Sequence, residues 1–493
     1  MNDHRPMAHL RPESGWTNDP IGPLWWHGRT HLFHQYNPHA GAWDRPHWGH
    51  LVTDDLVRWQ RRPIALSPGP GGADADGCYS GCVVVDDAQA VMVYTGVRGP
   101  LGPDEEQTTC LARSTDAMLD RWSKDPNNPV TTPPEHLDLI GFRDPFVWRE
   151  GGRWWQLIGA GIRAIGGAVL LYASDDLVDW TEEGPLLTAA DLGPPVEVGA
   201  MWECPGLFRS GTSEVLLLNV HDGVTTGHPI AVVGERTATR FRPRHLQPLD
   251  LGPDIYAPCL YTDQQGRVMV WGWSWEATTP EAQRAAGWAG VLTWPRALTV
   301  HDDVVHVAPL PETRELRTEE LPITLEPRGD HAWRATSPLP DAVDLEVQVG
   351  AGVDRLEVRV RCDPARREWT SIVIDRDAGE VWLDRSRSSL DASARGGRVG
   401  GSFDVIGRPV GTEGSTAGGG RVVPPDAPLP VRIVVDRSLV EVFVADRVSL
   451  TARIYPTLPD SLGVEVAGPG LDPAALALRA WALGSIWEDD HRR

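Results

Sequence analysis

The chain reads as an all-β protein, a five-bladed β-propeller followed by a C-terminal β-sandwich. Three observations predict this. Five apolar, aromatic-rich segments recur at near-equal spacing through the first 300 residues. A turn-like marker recurs downstream of three of them. Beyond residue 328, alternating strands return without that period.

The five segments are His31–Tyr36, Val91–Thr95, Arg153–Ile158, Val215–Asn219 and Arg267–Gly272. With Phe33, Tyr94, Leu157, Leu217 and Trp271 as centres, the gaps are 61, 63, 60 and 54 residues. The marker is Asp54-Asp-Leu-Val-Arg-Trp59, nearly copied as Asp175-Asp-Leu-Val-Asp-Trp180 and more loosely as Thr115–Trp122. Tandem antiparallel units of this size close radially around a channel, which leaves only short, protected edges. The predicted propeller spans residues 1–300. Residues 301–328, with four Pro between Pro309 and Pro327, read as a linker. Residues 329–493 carry period-two strands such as Val343–Val349, Leu356–Arg361, Ser371–Asp375, Arg432–Asp436 and Leu439–Val444, the pattern of a two-sheet sandwich. The Gly-, Ser- and Pro-rich stretch from Ser386 to Pro430 reads as a long mobile loop.

Composition narrows the function. Among 493 residues the formal net charge is −22, from 46 basic and 68 acidic residues, and no run of Lys and Arg stands out. Nucleic acid and anionic membrane surfaces are recognised through basic patches, so neither is an expected partner. No stretch approaches the ~20 apolar residues of a membrane span, and the opening residues carry no apolar export signal. The six Cys lack disulfide-scaffold spacing, so reduced thiols and a cytoplasmic location are expected. The 22 Trp divide between core packing and stacking on sugar rings, and their number alone does not separate the two. Oligomeric state is not legible.

Three carboxylates occupy one repeat position. Asp19, Asp144 and Glu203 each precede the centre of their segment by 13 or 14 residues. Any one Asp-Pro is most simply a turn, its side chain capping nearby amides. Three at the same level instead predict convergence on the channel axis. Converging acids suit glycoside hydrolysis, in which one carboxylate attacks the anomeric carbon and another protonates the leaving oxygen. Trp202, Cys204 and Pro205 surround Glu203 with apolar neighbours, which would raise its pKa and suits the acid/base role. Asn18 can donate to Asp19, which suits the nucleophile. Arg143 would keep Asp144 ionised. Counting back 14 from Tyr94 and Trp271 brings Ser80 and the Asp254–Tyr256–Ala257 region to the same level.

These motifs resemble, in order and along nearly the whole chain, those of glycoside hydrolase family 32, the β-fructofuranosidases that include invertases, inulinases and levanases. Trp16–Pro20 is similar to the family's Trp-Met-Asn-Asp-Pro-Asn-Gly, Phe142–Pro145 to its Arg-Asp-Pro and Trp202–Gly206 to its Glu-Cys-Pro motif. Trp48–His50 with Asp55–Leu56, Tyr79–Gly81, Asp254–Pro258, Gly287–Arg296 and Val435–Phe443 also fit. The resemblance implies Asp19 as nucleophile, Glu203 as general acid/base and Asp144 as transition-state stabiliser. It also implies retention through a fructosyl-enzyme intermediate, with no metal or organic cofactor. By motif, Asn18, Gln35, Trp43, Ser80, Arg143, Tyr256 and Trp273 would bind the substrate.

The chain departs from the family pattern at Ile21, where Asn is usual, and at Cys82, where Ser is common. The first departure would remove an amide beside the pocket and alter leaving-group preference. The expected partner is a β-fructoside, with terminal fructose released from sucrose or short fructo-oligosaccharides. Exo-inulinase or levanase action on fructans and fructosyl transfer are alternatives with the same residues, and a noncatalytic sugar-binding propeller is a further one. A zinc site among His27, His31, His34, His39, His47 and His50 fits no standard ligand spacing. Ser80 lies outside a Gly-x-Ser-x-Gly elbow, which argues against a serine hydrolase.

Overall fold

The structure is a computed structural model that describes residues 4–102, 104–193, 198–329, 331–410, 424 and 426–487. Strands dominate it. Apart from the short helix Pro280–Ala286 and four 3-10 turns, the regular structure of the described residues is extended. No helix among them is long and apolar enough to cross a membrane.

Five antiparallel sheets follow one another along the chain. Their first strands are Gly15–Trp26, Gly77–Asp86, Leu139–Glu150, Met201–Ser210 and Tyr256–Thr262. Each of the five recurring apolar segments falls on a second strand: Arg29–Asn37, Gln89–Arg98, Arg153–Ile162, Ser213–His221 and Val268–Ser274. The second strands are almost wholly buried, which explains why they read as continuous apolar runs. The first strands touch in cyclic order, first to second, second to third and on to the fifth, which returns to the first. Trp288–Ala289 pairs in parallel with Gly15 and Trp16, tying the last sheet's segment back to the first.

The repeated marker is the turn between third and fourth strands. Asp55 Oδ1 accepts from the Val57 and Arg58 amides at 2.8 and 2.7 Å, and Asp176 Oδ1 from those of Val178 and Asp179 at 2.9 and 2.8 Å. The following Leu56 and Leu177 adopt φ of 66° and 69°. In the looser copy Asp116 caps the Met118 amide at 2.8 Å and Leu119 has φ 57°. Asp at the turn start and a fixed cap geometry therefore account for the sequence echo.

The 301–328 segment is not a free linker. Val304–Pro309 pairs with Arg296–His301 inside the fifth sheet. Arg317–Leu321 pairs with Leu476–Leu483, and Leu325–Pro327 with Ala332–Ala335, in the C-terminal sheets. The connection shrinks to the 3-10 turn Pro311–Leu316 and its flanks. Proline at sheet edges and turns, rather than an unstructured tether, accounts for the Pro-rich composition. The predicted mobile loop is likewise partly ordered: Arg398–Ser402 closes one sheet and Arg408–Pro409 pairs with Phe241–Pro248. Residues 411–423 and 425, which that prediction also covered, lie outside the described residues.

Beyond residue 316 a six-stranded and a seven-stranded sheet share one apolar core, with Leu345, Ile433 and Val442 on one side and Val358, Ile372 and Val466 on the other. This unit is joined to the five sheets by buried charge. Arg296 donates to Asp250 and Glu441, both at 2.6 Å, with all three side chains at most 2% exposed. Glu441 also meets His9, which pairs with Asp436 at 2.8 Å. The Pro295-Arg296 and Val435–Phe443 motifs thus belong to one interface, brought together by a shared ion network. Breaking a buried pair strands its partners without compensation. Arg296→Ala is expected to cost about 3–5 kcal/mol, read as a lower denaturant midpoint; an unchanged midpoint would show that the network contributes nothing net.

Candidate active site

Each first strand breaks its ladder at the same height. Register shifts fall between Thr17 and Pro20, Cys78 and Gly81, Glu203 and Gly206, and Tyr256 and Cys259, and opposite Leu157–Gly159 at the Asp144 level. Four of these breaks contain a proline: Pro20, Pro145, Pro205 and Pro258. Proline offers no N–H to the ladder, so it suits a bulge, and a bulge re-aims the side chain beside it. Asp144, Cys204 and Ala257 accordingly take φ of 64°, 43° and 47°. The Asp-Pro and Cys-Pro pairs are therefore both structural and positional: they turn the acids towards the axis.

The acids do converge. Asp19 Oδ2 accepts from Ser80 Oγ at 2.6 Å, and Asp19 Oδ1 from Asn18 Nδ2 at 3.2 Å. Asn18 Nδ2 also reaches Gln35 Oε1 at 3.1 Å, and Trp16 Nε1 donates to Asn18 Oδ1 at 3.2 Å. Asp144 Oδ2 accepts from the Cys204 amide at 3.0 Å. The Cys204 thiol lies 3.5 Å from both Asp19 Oδ2 and Asp144 Oδ2, so one small side chain bridges two acids. Glu203 is gripped on both oxygens. Arg143 Nε donates to Oε1 at 2.8 Å, with a second, shorter contact from its terminal nitrogen, and the Tyr256 hydroxyl lies 2.6 Å from Oε2. Close approach here needs glycine: a Cβ on Gly159 would stand 2.5 Å from the Trp202 carbonyl and 3.2 Å from Glu203 Cα.

Electrostatics differ from expectation. Burial acts to raise Glu203, but the Arg143 guanidinium, His221 and the Tyr256 hydroxyl outweigh it, and its pKa is lowered. Its apolar sequence neighbours do not decide the matter, because the carboxylate meets the Arg143 guanidinium and the Tyr256 hydroxyl. Arg143 was expected to hold Asp144 ionised, yet its donors are spent on Glu203 and Gln107. Asp144 is raised, chiefly by burial and by the charge of Glu203. Asp19 is pushed up to about 6 by burial, a shift that the Ser80 hydroxyl opposes.

The remaining predicted residues divide by depth. Asn18, Gln35, Ser80, Tyr256 and Trp273 are buried. Trp273 contacts Trp16 and Trp275 at centroid distances of 5.7 Å each. Trp43 is 37% exposed and stands edge-on to Tyr79 at 5.8 Å. Asp254 does not join them: it binds Arg385 at 2.5 Å and the Arg453 amide at 2.7 Å, across the interface between the two parts of the chain. Ile21 packs with Phe33, Trp48 and Tyr94, and lines an axial cavity of about 330 Å³ together with Cys82 and Cys259. The same cavity is lined by Ser80, Asp144 and Cys204, so the apolar Ile21 stands beside the acids and offers them no hydrogen bond.

Sequence reasoning missed Gln107, Asn219 and Glu105. Gln107 Oε1 accepts from Arg143 at 3.2 Å, and its amide donates to Glu105 at 2.7 Å. Asn219 joins the Glu203 carbonyl at 3.3 Å to the Ala257 amide at 2.9 Å. Gln107 and Glu105 lie on or before a third strand, away from the repeated acid level, so spacing carried no signal for them.

Three converging acids on an all-β frame suit glycoside hydrolysis, and comparison with known proteins identifies the class of the chain. Residues 9–309 match the glycosyl hydrolases family 32 N-terminal domain and residues 313–481 the family 32 C-terminal domain. The chain belongs to glycoside hydrolase family 32. It is 32% identical over 478 residues to the raffinose invertase of Escherichia coli, covering 92% of this chain and 90% of that protein. It is 30% identical over 472 residues to a sucrose-6-phosphate hydrolase of Escherichia coli, covering 92% and 90%. A variant of a Bombyx mori family 32 β-fructofuranosidase in complex with sucrose superposes with a TM-score of 0.76 at 26% identity, covering 98% and 95% of the two chains.

Proposed function

We propose that the chain is a retaining β-fructofuranosidase that releases terminal fructose from sucrose or short fructo-oligosaccharides. The observation that carries this is the meeting of Asp19, Asp144 and Glu203 at one level of the ring, each with a different set of partners. The frame is a five-bladed propeller followed by a β-sandwich. The cyclic contacts of five first strands support the propeller, and the core shared by two sheets supports the sandwich. The six free cysteines are in keeping with a reducing cytoplasm.

In this reading Asp19 attacks the anomeric carbon while Glu203 gives its proton to the glycosidic oxygen, and glucose leaves. Glu203 then takes a proton from water, which attacks the fructosyl ester and frees Asp19. Asp144, held by the Cys204 amide, accepts sugar hydroxyls and offsets positive charge at the anomeric centre. Asn18, Gln35, Ser80, Arg143, Tyr256 and Trp273 surround the fructosyl unit, with Trp43 at the rim. Without substrate, Arg143 favours ionised Glu203. A sugar hydroxyl that accepts from Arg143 loosens that pairing, and burial then raises Glu203 towards the proton it must deliver.

Incubation with sucrose tests the proposal. Equal release of glucose and fructose supports hydrolysis, glucose in excess supports transfer, and release of neither sinks the fructosidase reading. The pH profile offers a second check. The nucleophile must be ionised and its pKa is raised, so kcat/KM is expected to fall as pH drops below about 6. Ser80 donates to the ionised form, so Ser80→Ala moves that acid limb to higher pH; a limb that stays in place would remove Ser80 from the nucleophile's environment.

A further inference from the structure

A second cavity, of about 350 Å³, opens at the rim and is lined by Trp43, Asp44, Arg45, Asp76, Tyr79 and Glu105 among others. It lies near the acids, because Tyr79 on its wall interacts electrostatically with Arg143 and Asp144. It is also linked to the proton donor through side chains. The Tyr79 hydroxyl donates to Glu105 at 2.8 Å, Gln107 bridges Glu105 to Arg143, and Arg143 holds Glu203. The edge-on pair of Trp43 and Tyr79 supplies an aromatic wall of the kind that packs on a pyranose ring.

The charge of this cavity is one-sided. Asp44, Asp76 and Glu105 face one cation, Arg45. Arg45 lies 3.6 Å from Asp76, with its side chain 66% exposed. Both oxygens of Glu105 are occupied by Tyr79 and Gln107, and Asp76 Oδ2 accepts from the Gly99 amide at 2.9 Å. These two carboxylates are thus fixed in place rather than free to swing away. A phosphate monoester carries a charge of about −1.5 to −2 at pH 7. Placing it beside three carboxylates with one exposed, already engaged guanidinium is repulsive, and such repulsion is a means of discrimination.

We propose that this cavity seats the leaving-group sugar and selects an uncharged hexopyranose, disfavouring sucrose that carries phosphate on the glucose 6-hydroxyl. The proposal rests on the fructosidase reading above. It separates this chain from relatives named for sucrose 6-phosphate, although overall identity to them is similar to that with an invertase.

The test compares kcat/KM for sucrose and for the glucose-6-phosphorylated disaccharide, following free fructose. The intact protein should favour sucrose at least about tenfold. The double substitution Asp44→Asn/Asp76→Asn removes two of the three charges, keeps a carbonyl oxygen that can accept from the Gly99 amide and releases Arg45 from its pairing. In that variant the preference should shrink severalfold. Glucose should also compete with sucrose more strongly than glucose 6-phosphate does in the intact protein. Equal or faster turnover of the phosphorylated sugar, or a preference untouched by the double substitution, overturns the proposal and leaves the fructosidase reading standing. No fructose from either disaccharide overturns both.

Discussion

Asp19→Asn is expected to lower sucrose turnover by about 10⁴-fold or more, the scale seen when the nucleophile of a covalent mechanism is removed, while the protein remains folded. Asparagine is close in shape, keeps one oxygen that can accept from either Ser80 or Asn18, and removes a buried charge. The stability effect carries a sign that can be checked. The folded pKa of Asp19 is raised to about 6 from an ordinary 3.8, so ionisation opposes folding increasingly as pH rises from about 4 to 6 and fully above that. Asp19→Asn should therefore raise the melting temperature relative to the parent at pH 8 more than at pH 4. Near-parental turnover would remove Asp19 from the nucleophile's role. A stability difference that does not change with pH would mean that its carboxyl is not raised.

Glu203→Ala is expected to lower sucrose turnover by about 10²–10⁴-fold, the usual worth of positioned proton transfer. Its diagnostic is leaving-group dependence. With an aryl fructoside, whose phenolate departs without help, formation of the fructosyl-enzyme should be largely spared while its hydrolysis is slowed. A burst of phenol followed by slow turnover is the expected record. Equal losses on sucrose and on the aryl substrate would show that Glu203 does not protonate the leaving oxygen. Arg143 sharpens the prediction: once Glu203 is gone its guanidinium loses a partner in a buried site, so some of the loss will appear as weaker substrate binding.

Much of the site was legible because it is periodic. Asp19, Asp144 and Glu203 occur at one level of successive units, and a ring brings equal levels together whatever their separation in sequence. Ser80 and Tyr256 could be found by the same count. The prolines that follow the acids gave the reason for the bulge that turns each side chain inwards. What spacing could not convey was which donor meets which acid. Arg143 is next to Asp144 in sequence and its charge does act to lower the Asp144 pKa, but burial and the charge of Glu203 outweigh it. Its guanidinium hydrogen-bonds to Glu203, and the pKa shifts of the two acids run opposite to the directions their sequence neighbours suggested. Gln107 and Glu105 were invisible for a related reason: they act through position on a neighbouring strand, with no repeat or motif of their own.

The boundary between the two parts of the chain shows the same division. Proline content suggested a linker over 301–328, whereas Val304–Pro309 and Arg317–Leu321 each complete a sheet. Edge strands tolerate proline, so composition cannot distinguish an edge from a tether.

By itself the sequence determined the all-β class, the period of the units, the three acids and their common level, since these depend on local patterns of burial and turn chemistry that any fold of this chain must respect. The tertiary structure alone decided the direction in which each acid's pKa is shifted, the bridge of Cys204 between two of them, the joining of Arg296 to Glu441 and the acidic cavity at the rim. Each of these depends on distances between residues remote in sequence, and electrostatic energy in a buried site changes steeply over such distances.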